Sequence, residues 1–290
     1  MSWRTVLITK SAKLDYQLGF MVVRQEETIK IHLDEIAMLI IESTSVSMTV
    51  ALLSELTKKK IKVIFCDEKR NPSSELIPYY GAHDTSIKIK KQIAWTPEIK
   101  ASIWTEIVSE KIRKQAEHLR FRGRTEADML EQYITEIEFG DATNREGHAA
   151  KVYFNALFGK SFTRTEENST NAALNYGYSL ILSTFNREVV ANGYLTQIGV
   201  FHDNMFNQFN LASDLMEPFR ILVDSCVKDM MPVKFEHDEK IEILEILSQE
   251  VTIANRKETV VNAIKIYARS VFDALNENDS SLIKFYTYEL

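Results

Sequence analysis

The sequence predicts an α+β protein: a small, mainly β N-terminal region over residues 1–77, a linker over 78–86, and a larger all-α region over 87–290. Two observations carry that expectation. The apolar period is close to two up to about Ile77 and close to 3.6 afterwards. The stretch between them, Asp67 to Ser86, holds Asn71-Pro72-Ser73-Ser74, Pro78 and Gly81, which are turn and linker residues. With 45% hydrophobic residues among 290, the chain can fill a packed core.

Thr5–Ile8, Lys13–Tyr16, Phe20–Val23 and Thr28–Ile31 are short runs of strand type. Gly19 and Gln25-Glu26-Glu27 supply turns between them. Ile36–Ile41 is a continuous apolar strand. Ser45–Lys59 changes to helical spacing, with Val46, Val50, Leu53 and Leu56 on one side and Ser45 as the expected cap. Ile61–Phe65 returns to strand. Beyond the linker, helical spacing marks Glu98–Leu119, Asn171–Val190, Leu211–Met230, Lys240–Leu247 and Thr259–Leu275. No internal repeat or low-complexity tract is present.

Composition excludes several classes. No apolar run approaches the about 20 residues that span a bilayer, and the opening Met1-Ser2-Trp3-Arg4 lacks a signal-peptide layout. Cys66 and Cys226 fit no CxxC motif and read as reduced thiols in a cytoplasm. The net charge of −6 argues against nucleic acid, but its distribution is uneven. Ser86–Arg124 holds ten basic residues, among them Lys111, Arg113, Lys114, Arg120, Arg122 and Arg124, against four acids. That segment carries +6 and leaves −12 elsewhere. It fits phosphate contacts, as do Lys160 and Arg164 farther on, or it is a solvated helix face.

Phe158-Gly159-Lys160-Ser161 resembles the end of a phosphate loop, but the position five before its glycine is Phe154, within a helical pattern. No HExxH, ExxH pair or GxSxG occurs. Three blocks remain. In Asn144–Phe154, Thr143-x-x-Glu146 has capping-box spacing, so Glu146 alone reads as a backbone cap. In Gln197–His202 a histidine ends an apolar stretch beside Gly199, and alone it reads as structural. In Phe209–Arg220, Asp214 and Glu217 lie three apart on one helical face, next to a stripe of Leu211, Leu215, Phe219 and Leu222 and beside Pro218. Taken together, one imidazole and two or three carboxylates form a ligand set for a hard divalent cation, Mg²⁺ or Mn²⁺.

At these blocks the chain resembles the CRISPR-associated adaptation integrase, the first-numbered protein family of CRISPR systems. The marks are Arg145-Glu146-Gly147 with its Ala-rich helix, Asn171–Tyr178, Ile198-Gly199 leading to His202, and Asn210–Arg220. Ser2–Val6, Ile64–Asp67 and Gln92–Trp95 resemble the type II-A branch. The resemblance implies a β domain before a helical catalytic domain, and Glu146, His202 and Glu217 as catalytic metal ligands with Asp214 supporting them. Many relatives carry aspartate where this chain has Glu217. It implies a homodimer, two of which clasp a dimer of the small second-numbered adaptation protein in a heterohexamer. It also implies double-stranded DNA substrates (prespacer and leader-repeat), and as further partners the type II-A effector nuclease and an accessory adaptation protein. The implied activity is metal-dependent transesterification of DNA. A non-enzymatic DNA-binding scaffold and a repair nuclease without integration are the alternatives.

Overall fold

The computed structural model describes residues 4–78 and 82–288; residues 1–3, which open the Ser2–Val6 motif, residues 79–81 within the expected linker, and residues 289–290 lie outside the described residues. The N-terminal strands are β1 (Arg4–Ile8), β2 (Ala12–Gln17), β3 (Phe20–Arg24), β4 (Thr28–His32), β5 (Ile36–Ile41) and β6 (Val46–Met48). Helix α1 (Val50–Lys58) and strands β7 (Lys62–Cys66) and β8 (Pro72–Glu75) complete this part. They form two four-stranded sheets, ordered β4-β3-β2-β6 and β1-β5-β7-β8. Leu18 and Gly19, with φ of 47° and 88°, make the two-residue turn from β2 to β3, the left-handed geometry that matches strand twist in a tight hairpin.

Strands β1, β5 and β7 pair in parallel, which explains the unbroken apolar run of β5. A strand covered on both faces has no polar side to alternate. Ile36, Leu39 and Ile41 point into the small N-terminal core. Ala37, Met38 and Ile40 point the other way, into the main helical core. Val63 and Ile64 of β7 divide likewise, so this sheet is a wall shared by both cores.

Two local expectations change. The cap of α1 is Thr49, whose hydroxyl accepts from Leu52 N at 3.3 Å. Ser45 precedes a strand, β6, that pairs in parallel with β2. The stretch read as turn and linker holds β8, antiparallel to β7 at the sheet edge. Pro72 stands at its first residue, where a missing N–H is tolerated.

The C-terminal part runs α2 (Thr85–Ile93), α3 (Pro97–Phe121), α4 (Glu126–Thr135), α5 (Arg145–Phe158), α6 (Ser169–Ala191), α7 (Asn210–Leu215), α8 (Arg220–Met230) and α9 (His237–Glu245). Strands β9 (Glu250–Ile253) and β10 (Arg256–Thr259), helix α10 (Val260–Glu277) and strand β11 (Tyr286–Thr287) follow. It is mostly helical, as expected, with a three-stranded sheet, β10-β9-β11, that helical periodicity did not announce. Those strands are two to four residues long, too short for a period to register.

Helix α3 is central, and most of its residues from Ile103 to Leu119 are buried. Helices α6 and α8 approach closely at Gly177, where an added Cβ would stand 2.4 Å from a Val223 methyl. Cys66 and Cys226 are free thiols. Among the described residues no helix is long and apolar enough to cross a membrane.

Candidate metal centre

Glu146 sits in the first turn of α5, yet it does not cap that helix. Asn144 is the cap and accepts from Gly147 N at 3.3 Å. Asp141, buried, accepts from Arg145 N at 2.7 Å and Glu146 N at 3.1 Å. These two residues satisfy the exposed N–H groups of the first turn, which corrects the capping-box reading and frees the Glu146 carboxylate. It turns instead to the ammonium of Lys111 on α3.

The same ammonium binds Glu217. Glu217 lies in a single 3-10 turn, Glu217–Phe219, that breaks the run read as one helix into α7 and α8. Pro218 is the cause, since it has no N–H to continue the ladder. Arg220 Nη2 holds the other Glu217 oxygen at 3.0 Å. Glu217 is only 4% exposed. Burial pushes its carboxyl upward, but Arg220 and Lys111 outweigh burial and hold it below the usual carboxylate range.

His202 lies on the loop before α7. Its Nδ1 pairs with Asp214 Oδ1 at 2.5 Å, and the Asp214 bond raises the imidazole above its ordinary value against the effect of burial. Fully buried Asp214 also accepts from Val200 N at 2.6 Å, Phe201 N at 3.0 Å and His202 N at 3.1 Å. One carboxylate thus fixes the loop backbone and the ring together. Gly199 makes this wrap possible. A Cβ there would stand 2.4 Å from the His202 carbonyl oxygen and 2.7 Å from Asp214 Oδ2. The edge of the His202 ring also meets Trp104 of α3, with centroids 5.7 Å apart.

The donor set fits a hard divalent ion in kind: two carboxylates, and an imidazole whose second nitrogen is fixed by a carboxylate. Glu146 and Glu217 add their charge to the field that raises His202. As placed, Lys111 joins the two glutamates, and among the described residues no three acidic, histidine or cysteine side chains converge closely enough to hold one ion.

Further residues gather near this site. Arg220 lies 4.7 Å from the centre of the Tyr178 ring, and Arg164 lies 5.3 Å from it. The Tyr178 hydroxyl donates to buried Asp224, whose carboxyl burial raises to about 6. Nearby His118 shares a 2.7 Å hydrogen bond with Tyr153 and accepts from Arg122 Nε at 3.1 Å. Of these, only Asp224 and His118 lie outside the blocks and basic candidates read from the sequence; the folded packing unites them all.

Most of the basic segment is exposed or half-buried, as a solvated face would be, but two of its lysines are not. Lys111 and Lys114 are buried, Lys114 donating to the Tyr286 carbonyl at 2.6 Å and pairing with Glu110 at 3.2 Å. Neither can serve as a solvent-facing phosphate contact, because α3 runs through the core. Arg113 pairs with Glu110, Arg120 with Asp128 and Glu131, and Arg122 with Asp229. Arg124 and Lys160 are exposed, and Arg164 is half-buried, bonded to Asn171 and Asn175. Gly159-Lys160 follows the end of α5, with no strand before it, and is no phosphate loop.

Solved structures share this fold. A casposase bound to its integration product superposes with a TM-score of 0.79 at 17% identity, covering 97% of this chain and 93% of that one. A chain of a Cas6-RT-Cas1–Cas2 complex superposes with a TM-score of 0.76 at 16% identity over 99% of this chain, which spans 36% of that longer chain. The particular family follows from sequence. The model of the CRISPR associated protein Cas1 family matches residues 6–245, and the chain belongs to that family. The CRISPR-associated endonuclease Cas1 of Neisseria meningitidis serogroup C is 37% identical over 229 residues, covering 78% of this chain and 75% of that protein.

Proposed function

We propose that this chain is a divalent-metal-dependent DNA integrase of CRISPR adaptation. A prespacer 3′-hydroxyl attacks a phosphodiester at the boundary of leader and repeat, and a second 3′-end attacks the opposite strand at the far end of the repeat. Each joining forms one phosphorus–oxygen bond and breaks another. The proton lost by the entering hydroxyl is balanced by one gained by the leaving 3′-oxygen. The observation that carries the reading is that Glu146 and Glu217, far apart in sequence, meet at Lys111, while Asp214 fixes His202 on the loop that leads to the Glu217 turn.

Glu146, His202 and Glu217 would hold Mg²⁺ or Mn²⁺, which when bound supplies Lewis-acid polarisation of the target phosphate. With Nδ1 engaged by Asp214, His202 offers Nε2 as ligand or proton carrier. Arg220, beside Glu217, adds positive charge where a phosphate would lie. The partners of this reading are a second copy of the chain, a dimer of the second-numbered adaptation protein and double-stranded DNA. The Cas6-RT-Cas1–Cas2 complex and the casposase bound to its integration product, both of this fold, support the second-numbered protein and DNA as partners. The type II-A assignment, with its effector nuclease and accessory protein, rests on the resemblance of Ile64–Asp67 and Gln92–Trp95. Residues 1–77 and 87–290 are proposed as its two domains, working in the cytoplasm.

The test incubates the protein with Mn²⁺, a prespacer duplex and a plasmid carrying leader and repeat. Covalently joined, branched DNA is expected, and Glu217→Gln should abolish it. Cleavage without joining would make the chain a hydrolytic nuclease, and DNA binding without either reaction would make it a scaffold.

A further inference from the structure

Lys111 has an unusual position for a lysine. It projects from the middle of the central helix α3, is only 7% exposed, and places one ammonium against two carboxylates, those of Glu146 and Glu217. These acids lie 35 and 106 positions away in sequence, so their meeting point is set by tertiary packing. Two carboxylates brought this near, Glu217 buried and Glu146 half-buried, repel each other, and a cation between them offsets that repulsion. Arg220 supplies a second positive charge; it pairs directly with Glu217 and feels Glu146 at longer range. Among the described residues, Lys111 alone pairs directly with both.

The side-chain chemistry matters as well. A lysine presents a compact charge on a flexible four-carbon stem and can swing away. A guanidinium holds carboxylates through a rigid planar fork. A flexible internal cation at the meeting point of two acids both holds them together and competes with any other cation for them.

Resting on the reading of Glu146 and Glu217 as ion-binding carboxylates, we infer that Lys111 is a positioning residue. It is a built-in counter-cation that keeps the two glutamates converged, and a divalent ion must displace it to bind. Lys111 thereby sets how much divalent ion the protein needs before it is loaded.

The experiment titrates MnCl₂ calorimetrically into the full-length wild type, Lys111→Met and Lys111→Arg, and records thermal melts in chelator and in Mn²⁺. Lys111→Met should bind Mn²⁺ at least tenfold more tightly than wild type. It should melt lower in chelator and gain more melting temperature on adding Mn²⁺. Lys111→Arg, which keeps the charge on a fork, should bind no more tightly than wild type. If Lys111→Met does not fold, Lys111→Gln carries the same expectation, since its amide is uncharged. Mn²⁺ affinity equal to or weaker than wild type in a folded, uncharged variant would overturn the inference, because a merely structural lysine would leave or weaken binding when removed. If neither wild type nor the variants bind Mn²⁺ at all, the metal reading of Glu146 and Glu217 fails first, and the inference falls with its premise.

Discussion

Acidification should expose two buried groups that pull stability in opposite directions. His118 is fully buried, and its ring accepts from Arg122. Burial, reinforced by the Arg122 charge, pushes its imidazole down to about 4, against about 6.5 in an unfolded chain. The unfolded state therefore takes up a proton first. The contribution of His118 is fully present above pH 6.5 and is lost as pH falls toward 4. At about 1.36 kcal/mol per pH unit, that span costs about 3 kcal/mol.

Asp224 behaves oppositely. Burial raises its carboxyl to about 6, although the Tyr178 hydroxyl and Arg220 pull it down. The unfolded value is about 3.9. The folded state takes up this proton first, so stability rises by about 3 kcal/mol as pH falls from 6 to 4. In the wild type the two effects offset each other; single substitutions should unmask them. Relative to wild type, His118→Gln should gain about 3 kcal/mol between pH 7 and pH 4, and Asp224→Asn should lose a similar amount. Urea unfolding at stepped pH measures the difference from wild type, in which the other titrating groups cancel. Two flat difference curves would refute the burial argument for both groups.

Five other substitutions separate roles at the candidate site. Glu146→Ala should abolish DNA joining while melting close to wild type, whereas Asp141→Ala, which removes the acceptor of two first-turn N–H groups, should cost about 1 kcal/mol in the same melts. Gly199→Ala should cost about 3 kcal/mol, because its methyl would overlap the His202 carbonyl and Asp214; a variant that melts with the wild type would mean the loop relaxes freely. Asp214→Asn should weaken Mn²⁺ binding about 10- to 100-fold in calorimetry, and Glu217→Gln should eliminate it; the reverse order would exchange their roles.

The sequence by itself determined the order and type of the larger elements. Short strand-type runs became β1 to β4, the apolar runs became β5 and β7, and helical spacing became α3, α6 and α10 to within two or three residues, because those patterns are set by which face each element buries. The three blocks around Glu146, His202 and Glu217 were also legible, since each is a short run of unusual residues. What it could not give was any property that depends on residues meeting across the chain. Thr143-x-x-Glu146 has the spacing of a cap, but Asp141 and Asn144 took that task, and only the bend before α5 decides between them. The basic segment did not show which of its charges were buried, because charge in sequence carries no depth. Placing α3 through the core turned Lys111 and Lys114 into buried partners of Glu146, Glu217 and Glu110. The strand β5 read as a strand from its apolar run, yet its division between two cores came from parallel pairing with β1 and β7. Local periodicity records how much of a residue is buried; the identity of the neighbour that buries it is fixed only when distant segments pack.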